Sequence, residues 1–389
     1  MLTTTIYLKN FEKKSKSTQI QVKKKLSSLL KEKNYILESL KKSYKNSYSK
    51  KKLTKYKKIN NFKVIGMGGS TLGTQTIYEF FKDKIKKNFI FIDNLNQKKI
   101  KIRSNKNLNL VVSKSGNTIE TIVNSNIYIK RGDKNIFITE NKDNYLRNLA
   151  YKLKADVVHH NNYIGGRYSV LSEVGMLPAE LMGLNTIHFR QLNSLIKSKK
   201  FINALILNVS AKLNYLKNKR FNSIIINYDE RSENLFKWYQ QLVAESLGKK
   251  RKGLLPIISN MPKDNHSVMQ LYLDGFKKNF YTFFYTHEAK SERINSSKIL
   301  SSQKFLKSKN LSNIMYAQKI ATEKIFQKKK IPFRSFEIKR RDEKTLGEIF
   351  CFFILETILL GKSLNVNPYD QPSVELIKKE TKKLLIFKG

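Results

Sequence analysis

The chain has 389 residues, 40% of them hydrophobic, enough to bury one large core or two ordinary ones, and two fits the usual domain size better. Its 76 Lys+Arg against 30 Asp+Glu leave a formal net charge of +46, which alone would suggest nucleic acid or an anionic membrane surface as partner. The lysines are scattered through nearly every segment beside abundant Asn and Ile rather than gathered in one stripe, so no specific nucleic-acid partner is expected; a field that attracts phosphates is.

The N-terminus, Met1-Leu2-Thr3-Thr4-Thr5-Ile6, lacks the apolar core of a signal peptide, and no later stretch approaches membrane-spanning length, so no membrane partner and a cytoplasmic location are expected. Residues 20–58 place Leu26, Leu29, Leu30, Ile36, Leu37 and Leu40 at helical spacing among lysines, which predicts one or two amphipathic surface helices in a helical arm over residues 1–58. From Phe62 short β-rich runs alternate with helical patterns: Lys63 to Gly66, Phe89 to Asp93, Leu108 to Ser113 and Asn135 to Thr139. This predicts a parallel sheet with crossover helices, a first domain over residues 59–186.

After helical patterns near Ile187 to Leu216 the cycle repeats, with strands at Ser223 to Tyr228, Leu254 to Ser259, Phe280 to Tyr285 and Pro332 to Ile338. Helices are expected around Leu235 to Leu247, Val268 to Leu273 and Asn313 to Phe326, giving a second domain over residues 187–342. Two helical segments close the chain over residues 343–389, Lys344 to Leu360 and Gln371 to Leu385, split by the turn Asn365-Val366-Asn367-Pro368. The fold class is therefore α/β: two tandem units, each a mainly parallel sheet flanked by helices, with helical segments at both ends. Cys351, the single cysteine, lies in an apolar run, which excludes a disulfide or thiolate metal cluster within the chain.

Two strand-to-helix junctions of the first unit are rich in Gly and hydroxyl residues: Gly66-Met67-Gly68-Gly69-Ser70-Thr71-Leu72-Gly73 and Ser113-Lys114-Ser115-Gly116-Asn117-Thr118-Ile119-Glu120-Thr121. In a parallel sheet such junctions meet at the carboxyl ends of the strands, where helix N-termini and hydroxyls suit a phosphate. The glycines fit neither the G-x-G-x-x-G spacing of dinucleotide sites nor a Walker loop, since no G-K-[ST] follows them. Taken singly, each loop also reads as an ordinary α/β turn with Gly for geometry and Ser as a cap.

Candidates for proton transfer follow. Arg167 projects from the turn Gly165-Gly166-Arg167-Tyr168-Ser169, where a surface salt bridge is the alternative. Glu245 lies near the end of a helix whose apolar face includes Leu235, Trp238 and Leu242; by itself it reads as a solvated carboxylate. His266 follows Met261-Pro262-Lys263-Asp264-Asn265 and suits a cap, a core position or a proton carrier. In Asp370-Gln371-Pro372-Ser373-Val374-Glu375-Leu376-Ile377-Lys378 the residues Gln371, Glu375 and Lys378 share a helix face. Metal-ligand spacing is absent throughout.

Five motifs in this order, G-G-S-x-L-G at 68–73, S-K-S-G-x-T-x-E-T at 113–121, G-G-R-Y-S at 165–169, Q-x-x-x-E-S-x-G-K at 241–249 and D-Q-x-x-V-E-x-x-K at 370–378, make the chain resemble the glucose-6-phosphate isomerase family from about Phe62 to Lys378. His266 matches the family's histidine position. The resemblance implies two sugar-isomerase domains of the compact bacterial form and interconversion of glucose 6-phosphate and fructose 6-phosphate without cofactor or metal. It also implies a homodimer in which His266 acts across the interface.

By the same resemblance Glu245 shuttles the proton between C2 and C1, Arg167 stabilises the enediolate, and His266 and Lys378 open the ring. Ser113, Lys114, Ser115, Thr118 and Thr121, with Gly69 and Ser70, bind substrate at the phosphate side, while Gln241 and Gln371 orient hydroxyls. The sequence departs from the family at the Pro262-Lys263-Asp264-Asn265 loop, commonly Gly-rich, at Ser373 and at Asn117. Activity on mannose 6-phosphate as well, or a non-catalytic role as a sugar-phosphate sensor, are the alternative readings.

Overall fold

A computed structural model describes residues 2–12, 16–97 and 107–387. The N-terminal part holds β1 (Ile6–Lys9), α1 (Lys16–Lys31), α2 (Tyr35–Ser39) and α3 (Lys50–Leu53). The first unit follows as β2 (Asn61–Gly66), α4 (Leu72–Phe80), β3 (Asn88–Ile92), β4 (Leu108–Val112), α5 (Ile119–Tyr128), β5 (Lys134–Thr139), α6 (Tyr145–Lys152) and β6 (Asp156–His159). Helices α7 (Glu173–Leu181), α8 (Thr186–Phe189), α9 (Leu192–Leu195) and α10 (Lys199–Lys217) lead to the second unit. That unit is β7 (Asn222–Asn227), α11 (Glu233–Leu247), β8 (Leu255–Asn260), α12 (Met269–Asp274), β9 (Asn279–Thr286), α13 (Leu311–Lys328) and β10 (Phe333–Ile338), and α14 (Glu343–Ser363) and α15 (Val374–Phe387) close the chain.

The strands form two sheets, β3-β2-β4-β5-β6, parallel throughout, and β1-β10-β9-β7-β8, parallel except for β1. Strand alternation sorts side chains between layers. Val64 of β2 turns to the main core and Ile65 to the outer layer under α5 and α6; in β9, Phe280 and Phe284 enter the main core while Tyr281 and Phe283 meet Phe326 of α13. The main core lies between the sheets and is filled by α4, α7, α10, α11 and α14, so the two units share one apolar interior.

Two expectations change. The N-terminal part is not only a helical arm: Ile6 and Leu8 are buried, and β1 pairs antiparallel with β10, from Ile6 opposite Ile338 to Lys9 opposite Ser335, extending the second sheet. Helix α1 buries Val22, Leu26 and Leu29 and packs on α10 and α14, because its narrow apolar stripe has a core to meet. Strand β6, too short and polar to stand out in the sequence, completes the first sheet beside β5.

Helix α14 is almost wholly buried, yet no helix among the described residues is long and apolar enough to cross a membrane. Inside, Glu356 of α14 receives Arg334 of β10 (Nη1 to Oε1 2.5 Å) and Lys212 of α10 (Nζ to Oε2 2.8 Å), and Lys212 also donates to the Tyr239 hydroxyl on α11. Each charge keeps a partner, the condition under which ions are tolerated in a core. Burial pushes the Cys351 thiol up to about 12, so it behaves as a small apolar side chain.

Glu348 of α14 is buried, accepts from the Thr3 hydroxyl at 2.6 Å through Oε2, and leaves Oε1 without a hydrogen-bond partner among the described residues. Burial pushes its carboxyl from the ordinary 4.5 up to about 7, against a smaller lowering by the Thr3 bond. Because the folded value lies above the unfolded one, its stabilising contribution is complete below about pH 4.5 and is lost as pH rises through about 7. Glu348→Gln is therefore expected to gain on the order of 2 kcal/mol over the wild type at pH 8, with the gain vanishing near pH 4.5. Urea unfolding at both pH values checks this, and an equal difference at both would contradict it.

Candidate functional site

The turns after β2 and β4 sit side by side because those strands pair in register, Gly66 opposite Val112. The first turn, Gly68–Ser70, lies against the Gly165-Gly166-Arg167 segment so closely that a Cβ on Gly69 would come within 2.3 Å of the Gly166 carbonyl carbon and 2.6 Å of the Arg167 nitrogen. Only glycine permits that approach, and it seats Arg167 at the carboxyl edge of the first sheet.

Arg167 is buried, 2% exposed, and its guanidinium is fully engaged. Nε donates to the Ser246 hydroxyl at 2.9 Å, Nη1 to Glu245 Oε2 at 3.2 Å and to Gln371 Oε1 at 2.6 Å, and Nη2 to the carbonyls of Pro368 at 2.8 Å and Asp370 at 3.0 Å. Its own carbonyl accepts from the Trp238 indole at 3.1 Å. Glu245, on the last turn of α11, holds a second donor, Gln241 Nε2 at 2.8 Å from Oε1, four residues back on the same helix face. Gln241 Oε1 is buried without a hydrogen-bond partner among the described residues.

Sequence reasoning assigned no role to Ser246, Tyr168, Trp238 or Lys249. The Tyr168 hydroxyl meets Ser246 Oγ at 2.7 Å and the Pro368 carbonyl at 2.8 Å, and burial pushes its phenol pKa up. Lys249 pairs with Asp370 at 2.6 Å and holds the Asp370 carboxyl below its usual range, tying the fourth motif to the fifth. The signal was present, since Ser246 and Lys249 stand inside a motif and a lone buried indole N–H requires an acceptor.

The loop Ser113–Thr118 enters α5, whose Thr118 cap makes no side-chain capping bond, so the first amides of the helix stay available to an anion. Ser113 Oγ and Thr118 Oγ1 are 3.0 Å apart, the Ser115 hydroxyl receives the Asn117 amide at 3.3 Å, and Lys114 pairs with Glu140 at 3.3 Å. The Thr121 hydroxyl is buried with no hydrogen-bond partner among the described residues. Asn117, the family departure, accepts from the Tyr145 amide at 3.0 Å and so fastens the loop to the start of α6. Gly116 has φ +67°, and a Cβ there would fall 1.8 Å from Asn144 Oδ1, the atom that caps α6 by accepting from the Arg147 amide at 3.0 Å.

Within one chain the structure thus brings together Arg167, Glu245, Gln241 and Gln371, beside Gly69 and Ser70, with the Ser113–Thr118 loop at the end of the neighbouring strand. It does not bring His266 or Lys378 to them. His266 is exposed on the turn after β8, at the carboxyl end of the second sheet, whereas α11 carries Glu245 to the amino end, about 18 Å along the helix from Glu233. Lys378 lies on α15, exposed and paired with Glu375 at 2.7 Å.

The sequence profile of one family, phosphoglucose isomerase, matches residues 12–386. The chain belongs to the phosphoglucose isomerase family. It is similar to the glucose-6-phosphate isomerases of Methanocaldococcus jannaschii, 32% identical over 84% of this chain and 85% of that one, and Campylobacter jejuni, 29% identical over 84% and 86%. Among solved structures it resembles a hypothetical protein of Thermus thermophilus with TM-score 0.82 at 22% identity, covering 95% of both chains. It also resembles a glucose-6-phosphate isomerase of Chlamydia trachomatis with TM-score 0.67 at 18% identity, covering 96% of this chain and 74% of that one. These two likenesses support the two-sheet isomerase fold.

Gly116→Ala in this phosphoglucose isomerase family member is expected to cost about 2–3 kcal/mol, from the left-handed backbone and the displaced Asn144 cap, and to weaken binding of inorganic phosphate at the loop. Urea unfolding and a phosphate titration check both; unchanged phosphate affinity would contradict the loop's assignment.

Proposed function

We propose that the chain interconverts glucose 6-phosphate and fructose 6-phosphate with Glu245 moving the proton between C2 and C1 and Arg167 stabilising the enediolate. Membership of the family makes it an aldose–ketose isomerase. The observation that carries the residue assignment is the Arg167–Glu245 contact at 3.2 Å, which joins motifs 78 residues apart next to the phosphate loop.

A sugar C2 proton is too weakly acidic for a carboxylate unless the developing oxyanion is stabilised. Arg167 suits that task because its other N–H groups are locked on fixed acceptors, so its charge is oriented before substrate arrives. Glu245 then removes the C2 proton and returns it to C1. Ser113, Lys114, Ser115, Thr118 and Thr121 hold the phosphate with the first amides of α5, and Gly69 and Ser70 line the turn beside it. Binding energy gained there positions the reacting carbons. Gln241 and Gln371, each already touching the pair, orient sugar hydroxyls.

Ring opening needs protons moved at O5 and O1, the work assigned to His266 and Lys378. The distance of His266 from Glu245 in its own chain favours delivery from a second copy, so the working unit is a homodimer. Helix α15 exposes Val374, Ile377, Leu384 and Leu385 along one stripe with Lys378 at its edge, and packing that stripe against the body brings Lys378 toward the substrate.

Glu245→Gln retains the shape of the contacts and removes the base. Turnover of fructose 6-phosphate is expected to fall roughly 10²- to 10⁴-fold with little change in KM; full turnover would refute the role of Glu245. Glu245→Gln and His266→Ala chains, inactive alone, are expected to regain activity when dissociated together and reassembled, since the mixed dimer has one intact site, about a quarter of all sites in a random mixture. Absence of recovery, with mixed dimers demonstrated, would place His266 in its own chain's site or outside the reaction.

A further inference from the structure

Helix α6 begins beside the Ser113–Thr118 loop, and its first three amides, which have no acceptor inside the helix, are all taken. The Tyr145 amide donates to Asn117 Oδ1 at 3.0 Å, the Leu146 amide to the Gly116 carbonyl at 3.1 Å, and the Arg147 amide to Asn144 Oδ1 at 3.0 Å. Two of the three thus end on the loop. Further back in the connection between β5 and α6, the Glu140 amide donates to the Lys114 carbonyl at 3.0 Å, and the Lys114 ammonium pairs with the Glu140 carboxylate at 3.3 Å. Lys114, Gly116 and Asn117 are therefore held by that connection, while Thr118 makes no side-chain capping bond to the first amides of α5.

The connection is itself fixed by two buried side chains, Asn144 at 6% exposed and Thr139 at 0%. Asn144 uses both ends of its carboxamide: Oδ1 caps α6, and Nδ2 donates to the Lys142 carbonyl at 2.9 Å and the Glu140 carbonyl at 3.5 Å. The Thr139 hydroxyl shares its hydrogen between the Lys114 carbonyl at 3.2 Å and Asn144 Oδ1 at 3.4 Å, and so bridges the loop to the cap. Gly116 lies directly against Asn144, with no room for a Cβ between them. A helix cap needs only the first of these contacts. The others shape the turn whose amides grip the loop.

We propose that Asn144 and Thr139 are positioning residues of the phosphate site, fixing the loop that binds the substrate's phosphate without touching the phosphate themselves. The inference rests on the assignment of Ser113–Thr121 as the phosphate loop. Hydroxyls and amides bind a phosphate well when they already converge, because ordering them on binding consumes affinity. Removing either side chain leaves those donors chemically intact and loosens their arrangement. The loss then falls on binding of the phosphate, which raises KM more than it lowers kcat.

Asn144→Ala and Thr139→Val test this, the second by removing a single hydroxyl from a buried strand. Each is expected to raise the KM for fructose 6-phosphate and the inhibition constant of inorganic phosphate by the same factor, about tenfold, with kcat changed less than about twofold. Asn310→Ala removes a cap of the same kind from α13 in the second unit, where Asn310 accepts from the Asn313 amide at 2.8 Å. It is expected to lower the melting temperature as Asn144→Ala does and to leave both constants unchanged. Unchanged phosphate inhibition in Asn144→Ala and Thr139→Val overturns the proposal and leaves Asn144 a helix cap alone. Equal weakening in all three variants overturns it as well, since the effect would then follow stability. Absence of competitive inhibition by inorganic phosphate in the wild type refutes the loop assignment itself, and the proposal with it.

Discussion

The site depends on one buried guanidinium. Arg167 gathers Ser246, Glu245, Gln371 and the carbonyls of Pro368 and Asp370, and so draws the end of α11 and the chain leading to α15 onto the edge of the first sheet. A buried cation has to be surrounded by acceptors to be tolerated at all. Arginine meets that demand with five N–H donors in a rigid plane, a geometry lysine does not offer. The contacts that satisfy Arg167 also fix its orientation beside Glu245. Gly69 has the complementary task of letting the backbone approach closely enough for Arg167 to reach that edge.

The second constraint is the shared interior. Because α4, α7, α10, α11 and α14 fill one core between two sheets, the units are held together by apolar packing, and Arg334, Glu356 and Lys212 add a directional charge contact within it. The proposed catalytic pair straddles the units, Arg167 from one side and Glu245 from the other, and such a pair needs this rigidity, since a misplacement of about 1 Å is costly to catalysis.

Much of the architecture was legible in local pattern. The eight strands read from the sequence lie within a residue or two of where they form, because apolar, β-branched runs such as Ile224-Ile225-Ile226 and aromatic runs such as Phe283-Phe284 are buried on both faces of parallel sheets. Strand β1 was not legible: Ile6-Tyr7-Leu8-Lys9 is short, sits on an edge, and owes its existence to β10, more than 320 residues away. For the same reason α1 read as a surface helix, since an amphipathic stripe announces that a face is buried without saying against what.

The sequence by itself determined the order and chemistry of the motifs: glycines where backbones approach, hydroxyls at the start of α5, and a carboxylate, a guanidinium, a histidine and a lysine at recognisable positions. Only the tertiary structure decided which of these meet. Arg167 reaches Glu245 across 78 residues and Gln371 across 204, contacts set by sheet order and helix packing that no local spacing encodes. The length of α11 puts Glu245 and His266 at opposite ends of the second sheet, and α15 holds Lys378 in solvent. Residue type follows from local chemistry, whereas proximity follows from how long elements cross a common core.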